Sequence, residues 1–298
     1  MIYSFENIFK KLIFPYKKYA KFLLKIIRFS YNLFFKIPFI EKPLPKVPFS
    51  SKPFASKSTY LNLHKKTIQK EYKGISLIEN NLGFSIDKDW FSDLSLVTQT
   101  CIKESKLNFN HGRLLYSVLS NYLTKYKVSD DKPILILETG TARGFSAICM
   151  SKALNQQDVK GIIITIDCIP HNERIYWNSI SDCDGKTTRE ELLSKWSNET
   201  RNILFIHGWS NKVLKRLHSQ RVNFAFLDAQ HTKKAVIEEF KFVSSRQIKG
   251  DIIIFDDVTP GIFDGVCEAV KEIKRSSDYS IEYLNFDNLR GYAIATKN

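Results

Sequence analysis

Residues 133–147 read PILILETGTARGFSA, and the fold is decided in this stretch. Four aliphatic residues in a row, Ile134 to Leu137, suit a strand buried on both faces. The chain then turns through Glu138-Thr-Gly140-Thr-Ala-Arg-Gly144 and enters a helix at Phe145. Glycines at such a turn let the backbone approach a ligand closely, and the helix start offers unpaired N–H groups to an anionic group such as a carboxylate. The acid-x-Gly-x-x-x-Gly spacing is neither the Gly-x-Gly-x-x-Gly of a dinucleotide site nor the Gly-Lys-Ser/Thr of a phosphate loop.

Working outward, short apolar runs recur at 161–166, 203–206, 224–227, 251–255, 280–284 and 292–296. Helical patterns separate the early runs, near 144–155, 188–197, 211–219, 232–245 and 263–275. Strict alternation of strand and helix means a parallel sheet covered on both faces. The last two runs follow each other closely and read as a hairpin. The expected class over residues 128–298 is therefore α/β: a Rossmann-like, doubly wound, mainly parallel seven-stranded sheet with an antiparallel last strand. Residues 60–127 read as a helical lead-in, with helices around 90–106 and 109–126.

Three strand ends carry acids. Asp167 closes the second strand, 23 residues beyond Gly144, where a carboxylate can accept hydrogen bonds from both ribose hydroxyls of an adenosine ligand. Asp228, Asp256 and Asp257 close the fourth and fifth strands, at the same carboxyl edge as the glycine turn. Like charges held together repel, which a hard divalent cation offsets, and an all-oxygen donor set favours Mg²⁺ over zinc. The plainer alternative is that Asp256 or Asp257 caps the following loop. His231, three residues beyond Asp228, is placed to act as a neutral general base, or simply to cap its turn.

Hydrophobic residues make up 43% and charged residues 26% of the 298, enough apolar chain for a proper core and too much for disorder. The net charge of +14 is uneven. Residues 1–60 hold 12 Lys/Arg against Glu6 and Glu41, leaving 33 against 29 for the rest, so nucleic-acid binding by the main domain is not expected. Five scattered cysteines with no C-x-x-C pair suit a reducing cytosol.

The basic segment has helical periodicity over 16–37. Lys17, Lys18, Lys21, Lys25, Arg28 and Lys36 fall within an arc of about 100°, with Phe, Leu and Ile filling the remainder. Such a helix is too charged to span a bilayer and suited to lie on its surface. Packing on the same chain or on a second copy in a homodimer, or organellar targeting, are the other outlets. Residues 38–59, with five prolines and four serines, read as an extended linker. The expected location is cytoplasmic, with the segment peripheral on the membrane.

LETGTARGFSA, ITID, GWSN (208–211), FLDAQHTKKAV and IIIFDDV together resemble the class I S-adenosylmethionine-dependent methyltransferases, and among them the metal-dependent, catechol-type O-methyltransferases. The resemblance is collinear over about residues 110–298. It implies that Glu138, Gly140, Thr141, Gly144 and Ser146 line the methionine end of the cofactor, Asp167 the ribose, and Trp209 and Ser210 the adenine. It further implies Asp228, Asp256 and Asp257 as ligands of Mg²⁺ or a similar ion, Asp228 also bordering the cofactor, and His231 as the base. Trp209 departs from the small residue usual there, and Asp257 stands where the family often has Asn. The implied reaction is O-methylation of a small-molecule or sugar hydroxyl, a glycan or cell-envelope precursor being attractive beside a membrane. A catalytically silent scaffold of this fold, or an enzyme using another adenosine cofactor, are the competing classes. The long 170–195 loop reads as a lid or as a surface insertion.

Overall fold

The computed structural model describes residues 52–70, 72–126, 133–219, 221–284 and 290–298. The chain divides into residues 1–45 and 46–298, and every described residue lies in the second unit. The helix expected at 16–37 and most of the 38–59 linker lie outside the described residues.

Four helices come first: α1 (Lys57–Ile68), α2 (Lys73–Leu82), α3 (Lys88–Thr98) and α4 (Asn110–Tyr126). Helix α1 begins within the expected linker, because the Ser56 side chain accepts from Thr59 N and caps it. Helix α3 stops at Thr98, short of the expected 106. There Thr98 Oγ1 bonds back to Leu94 O and Thr100 Oγ1 to Ser95 O, side-chain bonds that compete with helix continuation.

The α/β alternation then follows as β1 (Ile134–Thr139), α5 (Phe145–Gln157), β2 (Gly161–Asp167), α6 (Arg189–Leu192), α7 (Ser197–Thr200), β3 (Ile203–His207), α8 (Ser210–Val213), β4 (Phe224–Leu227), α9 (Lys233–Ser244), β5 (Ile252–Phe255), α10 (Asp264–Ser276), β6 (Tyr279–Leu284) and β7 (Tyr292–Lys297). The helix expected over 211–219 is a single turn. Beyond Val213 the bonding is mixed: Arg216 N bonds Val213 O across three residues, and Leu217 N is shared between Val213 O and Leu214 O, so no regular helix continues. The 188–197 pattern likewise breaks into short turns.

Among the described residues the strands form one sheet in the order β3-β2-β1-β4-β5-β7-β6. Neighbours β3 through β5 are parallel, while β7 runs antiparallel to both β5 and β6. Alternate side chains feed two cores. Along β4, Phe224 and Phe226 join Leu114, Leu115 and Ile148 under α1–α5, whereas Ala225 and Leu227 join Val236, Phe240 and Val270 under α9 and α10. The chain leaves β1 to build one side of the sheet and returns at β4 to build the other. Their carboxyl ends are thus the switch point where a crevice opens.

The 170–195 segment is a packed insertion. Ile175 and Thr187 form a β-bridge, Trp177 is fully buried, and buried Asp182 accepts from Trp177 N at 2.7 Å. None of these residues lines the crevice described next.

Candidate active site at the sheet switch point

A cleft of about 470 Å³ opens over the carboxyl ends of β1, β2 and β4, lined by Gly140, Ala142, Asp167, Trp209, Ser210, Asp228, His231 and Arg290 among others. Its floor is set by one close approach. Asp228 N donates to Thr139 O at 2.9 Å, and a Cβ on Gly140 would stand 2.1 Å from Asp228 O. With φ +94° as well, only glycine fits.

Asp167 sits on the cleft wall. Its Oδ2 accepts from Ala142 N at 2.6 Å and its Oδ1 from Ile169 N at 2.8 Å. Each oxygen keeps lone-pair capacity for a ligand hydroxyl. Trp209 and Ser210 stand on the adjoining rim, just beyond β3.

Other residues expected to line the cofactor lie behind the cleft. Glu138 is fully buried; Ser146 Oγ donates to its Oε1 and Thr165 Oγ1 to its Oε2, while Thr141 Oγ1 lies 2.5 Å from Thr165 Oγ1. Burial pushes the Glu138 carboxyl up to about 7 against those two hydrogen bonds. Gly144, at φ +91°, turns the chain into α5 against Leu193. Glu138, Thr141, Gly144 and Ser146 therefore shape the loop from below, and Gly140, Asp167, Trp209, Ser210 and Asp228 face the cleft. The sequence could not separate the two groups, because strand-end orientation depends on the sheet.

At the far end of the cleft the donor atoms of Asp228, His231 and Asp257 lie within 4.8 Å of one another. His231 Nε2 is 2.9 Å from Asp257 Oδ2 and 3.8 Å from Asp228 Oδ1, the first a hydrogen bond and the second a charge interaction. The two carboxylates, Asp228 and then Asp257, hold the imidazole up to about 10. Two acids therefore flank His231, and both favour its protonated form while no cation engages them.

Asp256 is not one of these three converging donors but adjoins them through Asp257. Its Oδ1 accepts from Asp257 N at 2.7 Å, and its carboxyl is pushed well up by burial, then by Asp228 and Asp257. Arg290, which the sequence reading passed over, explains where the charge goes. Its Nε lies 3.2 Å from Asp257 Oδ1 and its Nη1 3.9 Å from Asp256 Oδ2, with Phe263 beneath the guanidinium at 5.9 Å. A basic residue just before the last strand carries no local signal of this contact. Two buried carboxylate oxygens, Asp256 Oδ2 and Asp257 Oδ1, have no hydrogen-bond donor among the described residues. Acidic oxygens that have charge contacts to Arg290 but no hydrogen bond, beside Asp228, make a donor set that fits a hard divalent cation.

A family model described as a methyltransferase domain matches residues 137–258, which hold the glycine turn and all of these acids. Residues 137–258 are thus similar to a methyltransferase domain, on a Rossmann-like fold. Among solved structures, a cofactor-bound protein from MTB aligns with a TM-score of 0.50 at 14% identity, over 72% of this chain and 92% of that one. The O-methyltransferase TomG from Streptomyces achromogenes, involved in tomaymycin synthesis and solved with SAM, gives 0.49 at 17% over 72% and 92%. The O-methyltransferase NovP gives 0.49 at 15% over 82% and all of its chain. No curated protein matches the sequence.

Glu239 braces the cleft from underneath. It is buried on α9, its Oε2 accepts from Thr139 Oγ1 at 2.9 Å, and burial raises it to about 7 against bonds from Ser210 and Thr139. It ties the end of β1 to the rim at Ser210. The sequence hid it as one acid in an amphipathic helix.

Proposed function

We propose that this chain is an S-adenosylmethionine-dependent methyltransferase acting on a hydroxyl oxygen. The carrying observation is one cleft with two chemistries: a glycine turn and Asp167 on one wall, and Asp228, His231 and Arg290 on the other, with buried Asp257 against His231 and Arg290.

Asp167 receives the ribose hydroxyls, Gly140 leaves room for the methionine end, and the Trp209 ring forms a wall for adenine. Bound there, the cofactor supplies an electrophilic methyl group on a sulfonium. In the transfer a C–S bond breaks as a C–O bond forms, and the acceptor's proton leaves to the protein. In-line orientation in a water-poor cleft is the main service such a site renders. Arg290 places a fixed positive charge where the acceptor oxygen becomes negative. A divalent cation held by Asp228, Asp256 and Asp257 would engage the carboxylates that keep His231 protonated and would polarise an acceptor hydroxyl. With those carboxylates so engaged, His231 would be able to take the acceptor's proton as general base.

The acceptor proposed is a small molecule or a sugar hydroxyl presented near a membrane. Its support is charge placement. Lys65, Lys66, Lys70 and Lys73 extend the basic run, so residues 1–73 hold 16 basic residues against three acidic ones, and the remaining residues 29 against 28. Lys57, Lys65 and Lys66 are exposed on α1 together with Leu61, a composition suited to an anionic lipid surface.

Calorimetric titration with S-adenosylhomocysteine, with and without Mg²⁺, tests the reading. Micromolar binding that Asp167→Ala abolishes is the expected result. No binding by the folded protein overturns it in favour of a silent scaffold or another cofactor.

A further inference from the structure

The glycine turn is braced from outside the matched domain. Ala142 at its tip has φ +46°, a left-handed conformation that alanine holds only under restraint. Two restraints come from nearby, its N–H to Asp167 Oδ2 and its carbonyl from Arg189 Nε at 3.0 Å. A third runs through the next residue. Arg143 is buried, and its Nε donates to Trp177 O at 2.5 Å and its Nη2 to Asn178 O at 3.3 Å.

Asn178 is in turn held by elements that precede the domain. Its backbone has φ +52°, a region asparagine tolerates better than most residues. Its Oδ1 accepts from Ile102 N at 2.9 Å and from Tyr60 Oη at 3.2 Å, and its Nδ2 donates to Ile102 O at 2.8 Å. Tyr60 lies on the inner face of α1 with no exposed surface, and Asn178 is buried too. A continuous line of buried hydrogen bonds therefore joins α1, the packed insertion and the glycine turn.

We propose that Tyr60 and Asn178 are positioning residues for the cofactor, acting through Arg143 to hold the glycine turn in its binding shape. This inference rests on the methyltransferase reading above. It makes α1 part of the cofactor site, although α1 ends well before residue 137. Asn178→Ala leaves Ile102 N and O without their partner, while Tyr60→Phe takes one of the two donors from Asn178 Oδ1; each loosens the residue whose carbonyl helps to anchor Arg143. Since linkage is reciprocal, cofactor binding also tightens the seat of α1.

The test compares S-adenosylhomocysteine affinity by calorimetry for the full chain, Tyr60→Phe, Asn178→Ala and a control. The control is Tyr279→Phe, which removes one buried hydrogen bond of 2.7 Å to Gln247 on the far side of the sheet. Tyr60→Phe is expected to bind roughly threefold to tenfold more weakly, the value of one hydrogen bond, and Asn178→Ala more weakly still. Tyr279→Phe is expected to lower Tm comparably and leave affinity unchanged. Wild-type affinity in Tyr60→Phe overturns the inference alone, as does an equal loss in Tyr279→Phe. Failure of the wild type to bind overturns the cofactor reading and this inference with it. Should Asn178→Ala not fold, Tyr60→Phe, which keeps its ring in place, decides the matter.

Discussion

His111 shows how a single residue takes its character from its surroundings. It opens α4, edge-on to Phe145 at 4.9 Å and stacked on Phe226 at 6.1 Å, and burial lowers it to about 3, with Arg290 and Lys103 adding to the effect. The folded chain keeps it neutral, while the unfolded chain takes up a proton below its ordinary 6.5. Its contribution is whole above pH 6.5 and is lost as pH falls toward 3. Glu138 and Glu239 run the other way: raised from 4.5 to about 7, their contribution is whole below 4.5 and is lost as pH rises through 7. The Tm gap between wild type and His111→Leu should therefore narrow as pH falls from 6.5 toward 3. A gap independent of pH would show that His111 is protonated in the folded chain. Nothing in the string Asn-His-Gly announces this, because the two aromatic neighbours arrive from α5 and β4.

At the scale of elements, the sheet is pinned at the edge opposite the cleft by Asp251, just before β5. The buried carboxylate accepts from Tyr122 Oη on α4 at 2.8 Å, from Arg221 at 2.8 and 3.2 Å, and from Ile248 N at 2.9 Å. Asp251→Ala leaves a tyrosine and a guanidinium without their partner and should cost about 3 kcal/mol in urea unfolding. Cofactor affinity should be unchanged, since the substitution lies at the amino end of the strand. Strand positions were legible in the sequence because each is a short apolar run, and the central ones, β1, β4 and β5, are buried on two faces. The short helices after β3 and around 189–200 were not, since single turns held by insertion contacts carry no period.

For the whole molecule, charge is the informative property. With nearly all of the net +14 in residues 1–73, the full chain should cosediment with anionic vesicles and not with neutral ones, and release with salt. Replacing Lys17, Lys21 and Lys25 together by Ser should weaken that binding by roughly 3 kcal/mol, about one per lysine. Binding that is indifferent to lipid charge would count against a membrane role. Among the described residues, no helix is long and apolar enough to cross a membrane.

The sequence by itself determined the sheet, its parallel sense and the edge at which chemistry gathers, because hydrophobic periodicity and glycine placement are local consequences of backbone geometry. It also placed Gly140, Asp167 and Asp228 at strand ends. Only the tertiary structure decided which of the neighbouring residues face the cleft, that His231 is flanked by two acids, and that Arg290 pairs with Asp257 and approaches Asp256. Only it could bring Tyr60 to Asn178, 118 positions apart. Burial and Coulomb interaction depend on distances in space, and residues far apart in the chain meet only when the packed core brings them together.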